Sequence, residues 1–123
     1  MPDSKAASYF RGLQGEAAAK EYLCKNGMTC LEQRYRSPYG EIDLIMLEGD
    51  MLVFAEVKAR LHGTIRSAQL AVTPFKQQKI IQTALCYIAE HPEHAHRLMR
   101  FDIVSLAGDC VHHLANAFEG TGW

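Results

Sequence analysis

GEIDLIMLEGDMLVFAEVKAR, residues 40–60, decides how this chain folds. Two apolar runs, Ile42 to Leu47 and Met51 to Val57, flank Glu48-Gly49-Asp50, and an acidic-glycine turn between β-prone runs reads as a hairpin. Both faces of the two runs are apolar near the turn, which places the hairpin inside a sheet rather than at its edge. With Gly49-Asp50 as a two-residue turn, Glu48 pairs with Met51 and Leu47 with Leu52. Carried down the ladder, this register sets Asp43 opposite Glu56 and Glu41 opposite Lys58, and Lys58 shares the Glu56 face. A longer loop would shift the pairing.

Outward from the hairpin, Leu13, Ala17, Ala18 and Tyr22 recur at helical spacing, and Asn26-Gly27 is a stop signal, so the first helix is expected from about Ser8 to Asn26, locally weakened by Gly15. Met28 to Tyr35 reads as a short strand and Ser37-Pro38-Tyr39-Gly40 as a turn. Arg60 to Ser67 has no period and reads as a loop, with a helical turn following through Leu70. Thr73-Pro74 is an N-cap followed by proline at the first helical position, and Gln77, Ile80, Ile81, Ala84, Leu85 and Ile88 form an apolar stripe that ends before His91-Pro92. Phe101 to Leu106 and Cys110 to Leu114 read as strands joined at Gly108-Asp109, with a short polar tail to Trp123. Helix, three strands, helix, two strands predicts an α/β or α+β sandwich with a mixed sheet.

The chain has 123 residues, 48% hydrophobic and 22% charged, which suits one domain with a single core and excludes a disordered chain. No run approaches the roughly 18 apolar residues of a membrane span. Met1 to Phe10 carries Asp3 and Lys5 and lacks the apolar stretch of a secretory signal, so a cytoplasmic protein is expected. Cys24, Cys30, Cys86 and Cys110 form no C-x-x-C pair and are expected as free thiols packed as small hydrophobes. The net charge of −1 argues against a protein that simply coats nucleic acid. Its distribution is uneven. Glu41 to Glu56 holds Glu41, Asp43, Glu48, Asp50 and Glu56 without a Lys or Arg, whereas Val57 to Ala89 holds Lys58, Arg60, Arg66, Lys76 and Lys79 without a carboxylate. This pattern predicts a carboxylate site beside a surface that accepts a polyanion.

Two facing acids repel unless a proton, a cationic side chain or a metal ion offsets them. Hard oxygen donors with positions left for water favour Mg²⁺ or Mn²⁺ over zinc, and Lys58 is then placed to orient or deprotonate an attacking water. An ion pair between Lys58 and its acidic neighbours is the alternative. His91, His94 and His96 match no strong ligand spacing and are expected on a solvated connector, and of His112 and His113 one is expected exposed and one packed.

Ile42-Asp43 followed one hairpin later by Glu56-Val57-Lys58 resembles the PD-(D/E)xK signature of metal-dependent nucleases, with isoleucine in the proline position. Together with Gly15-Glu16 and Tyr22-Leu23, Gly40 to Ile45, Ala59-Arg60, Val72-Thr73 with Lys76 and Lys79, Arg100 to Val104, and Asn116-Ala117-Phe118, the chain from about Phe10 to Phe118 resembles the YraN family. These are small bacterial proteins with a restriction-endonuclease-like fold related to archaeal Holliday-junction resolvases. The resemblance implies an α/β/α sandwich with a central mixed sheet, Asp43 and Glu56 as ligands of Mg²⁺ or Mn²⁺, Lys58 as catalytic lysine and Glu16 as an acidic residue supplied by the first helix. Leu61-His62-Gly63-Thr64 departs from the phenylalanine-glycine expected in that loop. The function so implied is a metal-dependent endonuclease on DNA, with branched or damaged DNA as candidate substrates and Arg60, Arg66, Lys76 and Lys79 as nucleic-acid contacts. A non-catalytic nucleic-acid-binding or adaptor module on the same fold is the alternative, and a homodimer needing a partner protein is a third reading.

Overall fold

The computed structural model describes the backbone of residues 5–60, 64–108 and 110–119, and the side chains of residues 14–59, 64–108 and 110–119. Helix α1 (Lys5–Lys25) leads into strands β1 (Thr29–Ser37), β2 (Gly40–Glu48) and β3 (Met51–Arg60). Helices α2 (Ile65–Ala71) and α3 (Pro74–Glu90) and a 3₁₀ turn (Pro92–His94) then cross to β4 (Met99–Ala107) and β5 (Cys110–Phe118). The strands form one sheet in the order β1-β2-β3-β4-β5, antiparallel except for the β3–β4 pair, whose parallel register the α2–α3 crossover makes possible. The hairpin strands are interior, as both-sided apolar patterning requires, and the turn register is Glu48 with Met51 and Leu47 with Leu52. Gly49 has a φ of 59° and Asp50 does not have a positive φ, the combination a type II′ turn demands.

Alternation along β3 sorts the core onto two faces. Leu52 and Phe54 pack with Ile80, Ile81, Ala84 and Tyr87 of α3 and Ala68 of α2. Val53 and Ala55 pack with Ala19 and Leu23 of α1 and Met28 beyond it. The result is a restriction-endonuclease-like α/β/α sandwich. α1 ends in a Schellman arrangement: Met28 N–H donates to Leu23 O and Gly27 N–H to Cys24 O, both at 3.1 Å, with Gly27 at a φ of 95°. Thr73 caps α3 by accepting the Lys76 N–H at 3.3 Å, with Pro74 in the first turn.

Four expectations are corrected. The helical turn expected through Leu70 is α2, and it starts at Ile65, inside the loop expected to reach Ser67, with a capping box that joins Thr64 and Ser67. β5 continues past Leu114 to Phe118, whose ring stacks on Phe101 at 5.0 Å, so the segment read as a polar tail seals the core. Gly15 is a contact rather than a flaw in α1: a Cβ there would lie 2.6 Å from the Ala59 Cβ on β3, so only glycine lets the helix sit this close to the sheet. Cys24 and Cys110 are exposed, Cys30 and Cys86 half-buried, and all four are free. No helix among the described residues is long and apolar enough to cross a membrane.

Candidate active site

The β2–β3 ladder ends at Leu44 and Ala55, one position short of the pairing that would set Asp43 against Glu56. In place of a ladder bond, the Asp43 carboxylate accepts the Val57 N–H at 2.7 Å. Alternation fails at the same point. Ile42 packs on the α3 side and Leu44 on the α1 side, although strict period two would put both on one face. Across from Asp43, between the β1–β2 pairs Gln33–Leu44 and Tyr35–Ile42, stands Arg34 with a φ of 53°, a left-handed conformation unusual for arginine.

These irregularities gather acids. Asp43 and Glu56 act on each other's charge, and both carboxyls are raised above their ordinary range. Burial is the largest cause for each. For Asp43 the Val57 N–H opposes it and the Glu16 charge reinforces it; for Glu56 the neighbouring Asp43 charge adds to it, and Lys58 and Lys76 pull the other way. The Lys58 Nζ is 3.7 Å from Glu56 Oε1, and both side chains are about one-fifth exposed. Glu16 reaches this neighbourhood from α1, held by the Arg34 guanidinium at 2.8 Å. The structure thus brings Asp43, Glu56 and Lys58 together, with Glu16 near enough for its charge to act on Asp43. Glu41 does not pair with Lys58 through the ladder; its carboxylate bonds Arg36 at 3.2 Å, and it meets Lys58 only as a lining residue of one cleft.

That cleft, of about 170 Å³, lies between the β1–β2 turn, β3 and the start of α3, and is lined by Glu56, Lys58, Lys76 and Lys79 together with Tyr39, Gly40, Glu41, Val72 and Ile80. Asp43 does not line it and connects to it through Glu56. Arg66 is exposed on α2, outside the lining residues. Arg60 ends β3, with its side chain outside the described residues; residues 61–63, where the sequence departs from the expected loop, lie outside them too. Among the described residues no three His, Cys, Asp or Glu side chains form a group that could enclose a metal ion. An ion here would rest on two carboxylates with its other positions open, the manner in which Mg²⁺ is commonly held and structural zinc is not.

Sequence reasoning missed a second polar cluster, on the α1 side of β4. Asp102, 1% exposed, accepts both arms of the Arg100 guanidinium at 2.8 and 2.9 Å, the His113 Nε2–H at 2.7 Å in the charged or matching tautomeric form, and the Asn116 N–H at 3.0 Å. Arg100 also bonds Glu48 at 2.9 Å. Burial opposes the charge of Asp102, but His113, Arg100 and the Asn116 N–H outweigh it and hold the carboxyl below its usual range. The signal lay in Arg100-x-Asp102, two like-facing strand positions with opposite charge. His112 is exposed and His113 packed, as expected. On the connector, His96 is exposed as expected, whereas His91 and His94 are less solvated: His91 stacks on Tyr87 at 4.2 Å, and His94 Nδ1 accepts from Arg97 at 2.9 Å.

The fold is a restriction-endonuclease-like sandwich whose β2–β3 ladder parts just before Asp43 and Glu56. Residues 15–106 match the uncharacterised protein family UPF0102, and the chain belongs to that family, the one its motifs resemble. Its relatives include UPF0102 proteins of Rhodopseudomonas palustris, 41% identical over 95% of this chain and 86% of the relative, and of Bradyrhizobium diazoefficiens, 38% identical over 95% and 87%. Another, from Thermodesulfovibrio yellowstonii, is 38% identical over 87% of this chain and 94% of its own.

Proposed function

We propose that this chain is a metal-dependent endonuclease hydrolysing DNA phosphodiester bonds, with branched or damaged DNA as candidate substrates. The observation that carries the reading is the Asp43–Glu56 pair, two neighbouring half-buried carboxyls raised by desolvation and repulsion, with Lys58 at 3.7 Å from Glu56 and a lysine-lined cleft in front. A fold gains nothing in stability from such a pair, and its hard oxygen donors suit Mg²⁺ or Mn²⁺. When bound, the ion supplies Lewis acidity toward the phosphate and acidifies water. The chain's own residues do the rest. Asp43 is fixed by the Val57 N–H, Lys58 orients the attacking water and offsets charge developing on the phosphate, and Lys76 and Lys79 hold neighbouring phosphates. The Arg34–Glu16 pair keeps a third acid close to Asp43.

A non-catalytic nucleic-acid-binding module is the competing reading, favoured by the net charge of −1, which gives a weak steering field for a nuclease acting alone. Incubating the protein with labelled linear, flapped and four-way DNA in Mg²⁺ or Mn²⁺ separates the two. Cleavage that Asp43→Asn abolishes is the expected result; binding without cleavage in every metal assigns the module.

A further inference from the structure

One aromatic ring lines the lysine-lined cleft and a second packs against one of its lysines, surface that hydrolysis does not use. Tyr39, 47% exposed, lines the cleft from the β1–β2 turn. Phe75, 71% exposed, stands in the first turn of α3, where the Lys79 Nζ lies 4.8 Å from its ring centroid. Single exposed apolar residues are ordinary on a protein surface. Two aromatic rings beside two cleft-lining lysines, Lys76 and Lys79, are a specific composition.

The rings also stand on fixed supports. Ser37 Oγ and the fully buried Thr83 Oγ1 are hydrogen-bonded at 2.8 Å, and Ser37 Oγ accepts the Tyr39 N–H at 3.0 Å, so the turn that presents Tyr39 is fastened to α3. At Gly40 an added Cβ would meet Thr83 Oγ1 at 3.8 Å and Lys79 Cβ at 3.9 Å, which places turn and helix in contact on the same side as the lysine. Phe75 is held by the Thr73 cap and Pro74, which set the first turn of α3.

We propose that the cleft receives an unpaired stretch of DNA, with bases stacking on Tyr39 and Phe75 and phosphates lying on Lys76 and Lys79. Intact duplex presents phosphates on its outside and hides the base faces in its stack, so it offers lysines a partner and aromatic rings none. Unpaired bases expose both faces, and alternating aromatic and cationic side chains are how sequence-tolerant single-strand sites are built. The inference rests on the nuclease reading for the reaction at the phosphate, and names its substrate as DNA that is single-stranded or splayed at the cleft. Binding itself needs no catalysis.

Fluorescence anisotropy in EDTA, with the full chain, a labelled oligothymidylate and a blunt duplex of equal length, tests this without cleavage. The oligothymidylate should bind more tightly than the duplex. Tyr39→Ala and Phe75→Ala should each weaken oligothymidylate binding by about five- to a hundredfold, the range for losing one base–aromatic stack. Duplex binding and the salt slope should not change, because neither ring neutralises a phosphate. Tyr39→Trp should restore affinity, and 2-aminopurine within the oligonucleotide should be quenched by the wild type and not by Tyr39→Ala. Equal loss on both DNAs, no loss on either, or a wild type that does not bind oligothymidylate overturns the inference. Failure of cleavage with these binding results intact removes the nuclease reading alone. Cleavage with unaltered Tyr39→Ala and Phe75→Ala binding removes this inference alone.

Discussion

Asp43 on β2 and Asp102 on β4 each accept a backbone N–H from the neighbouring strand at an irregularity in the sheet, Val57 in one case and Asn116 in the other. At Asp43 the ladder has just ended; at Asp102 the β4–β5 register shifts between Phe101 and Ile103. A left-handed residue stands beside each, Arg34 at 53° and Asn116 at 54°. The surroundings then diverge. Asp102 faces Arg100 and His113, and its carboxyl is lowered; Asp43 faces Glu56 and Glu16, and its carboxyl is raised. One acid has its countercharge within the fold. The other is left short of positive charge beside an open cleft, which is what a site that recruits a cation requires.

The largest expected effect distinguishes the two directly. Asp102→Asn leaves the Arg100 guanidinium, 16% exposed, with Glu48 as its remaining anionic partner, so urea unfolding should show a loss of about 3–5 kcal/mol, the usual consequence of breaking a buried pair. Asp43→Asn relieves repulsion and should unfold at the same or higher urea. Equal losses in both would erase the distinction between a structural and a recruiting aspartate.

Next in size is Lys58. A protonated lysine has no lone pair to give a hard cation, so Lys58→Met should keep metal and DNA binding within about tenfold while cleavage falls by at least about a hundredfold. Lys58→Arg should also be impaired, since a planar fork does not take the place of a compact ammonium. Wild-type cleavage by Lys58→Met would reduce the lysine to the ion-pair partner that its 3.7 Å approach to Glu56 also allows.

How much of this could be read from the chain depends on the range of the interaction. The approach of Asp43 to Glu56 was legible because a two-residue turn at Gly49-Asp50 fixes the register as far as Leu44 and Ala55, one position short of the acids, and α3 because Thr73-Pro74 and a long apolar stripe are local signals. The seven residues of α2 complete too few turns to show a period. Gly15 looked like a weak point because its use lies far along the chain, at Ala59. Arg34, Tyr39 and the Asp102 network were missed for the same reason. Each acquires its role from a strand break, a turn seated on a helix, or a parallel crossover, and none of these leaves a pattern in adjacent residues.

A smaller effect tests the cationic wall of the cleft. Replacing Lys76 and Lys79 together by Gln should reduce the salt slope of DNA binding by about two units if each neutralises one phosphate. Glu56 should at the same time lose the help of Lys76 and be raised further. An unchanged slope would move the polyanion surface away from α3 and toward Arg66, exposed on α2.

The smallest effect is in the pH dependence of stability, and its sign differs between the two aspartates. A carboxyl raised in the folded state binds its proton more tightly there than in the unfolded chain, so it favours folding at low pH and that contribution is lost as pH rises through the folded value. For Asp43 and Glu56, both raised by desolvation, the metal-free protein should lose stability as pH rises from the ordinary carboxylate range through their folded values. Asp102, lowered in the fold, contributes above its unfolded range near pH 4, and that contribution is lost as pH falls through its folded value. The melting temperature in EDTA should therefore fall between pH 5.5 and pH 8. Glu56→Gln should flatten the decline, and Mg²⁺ or Mn²⁺ should oppose it by binding the ionised pair. A decline that persists unchanged in Glu56→Gln would place its origin elsewhere and leave the contrast between the two aspartates without a thermodynamic signature.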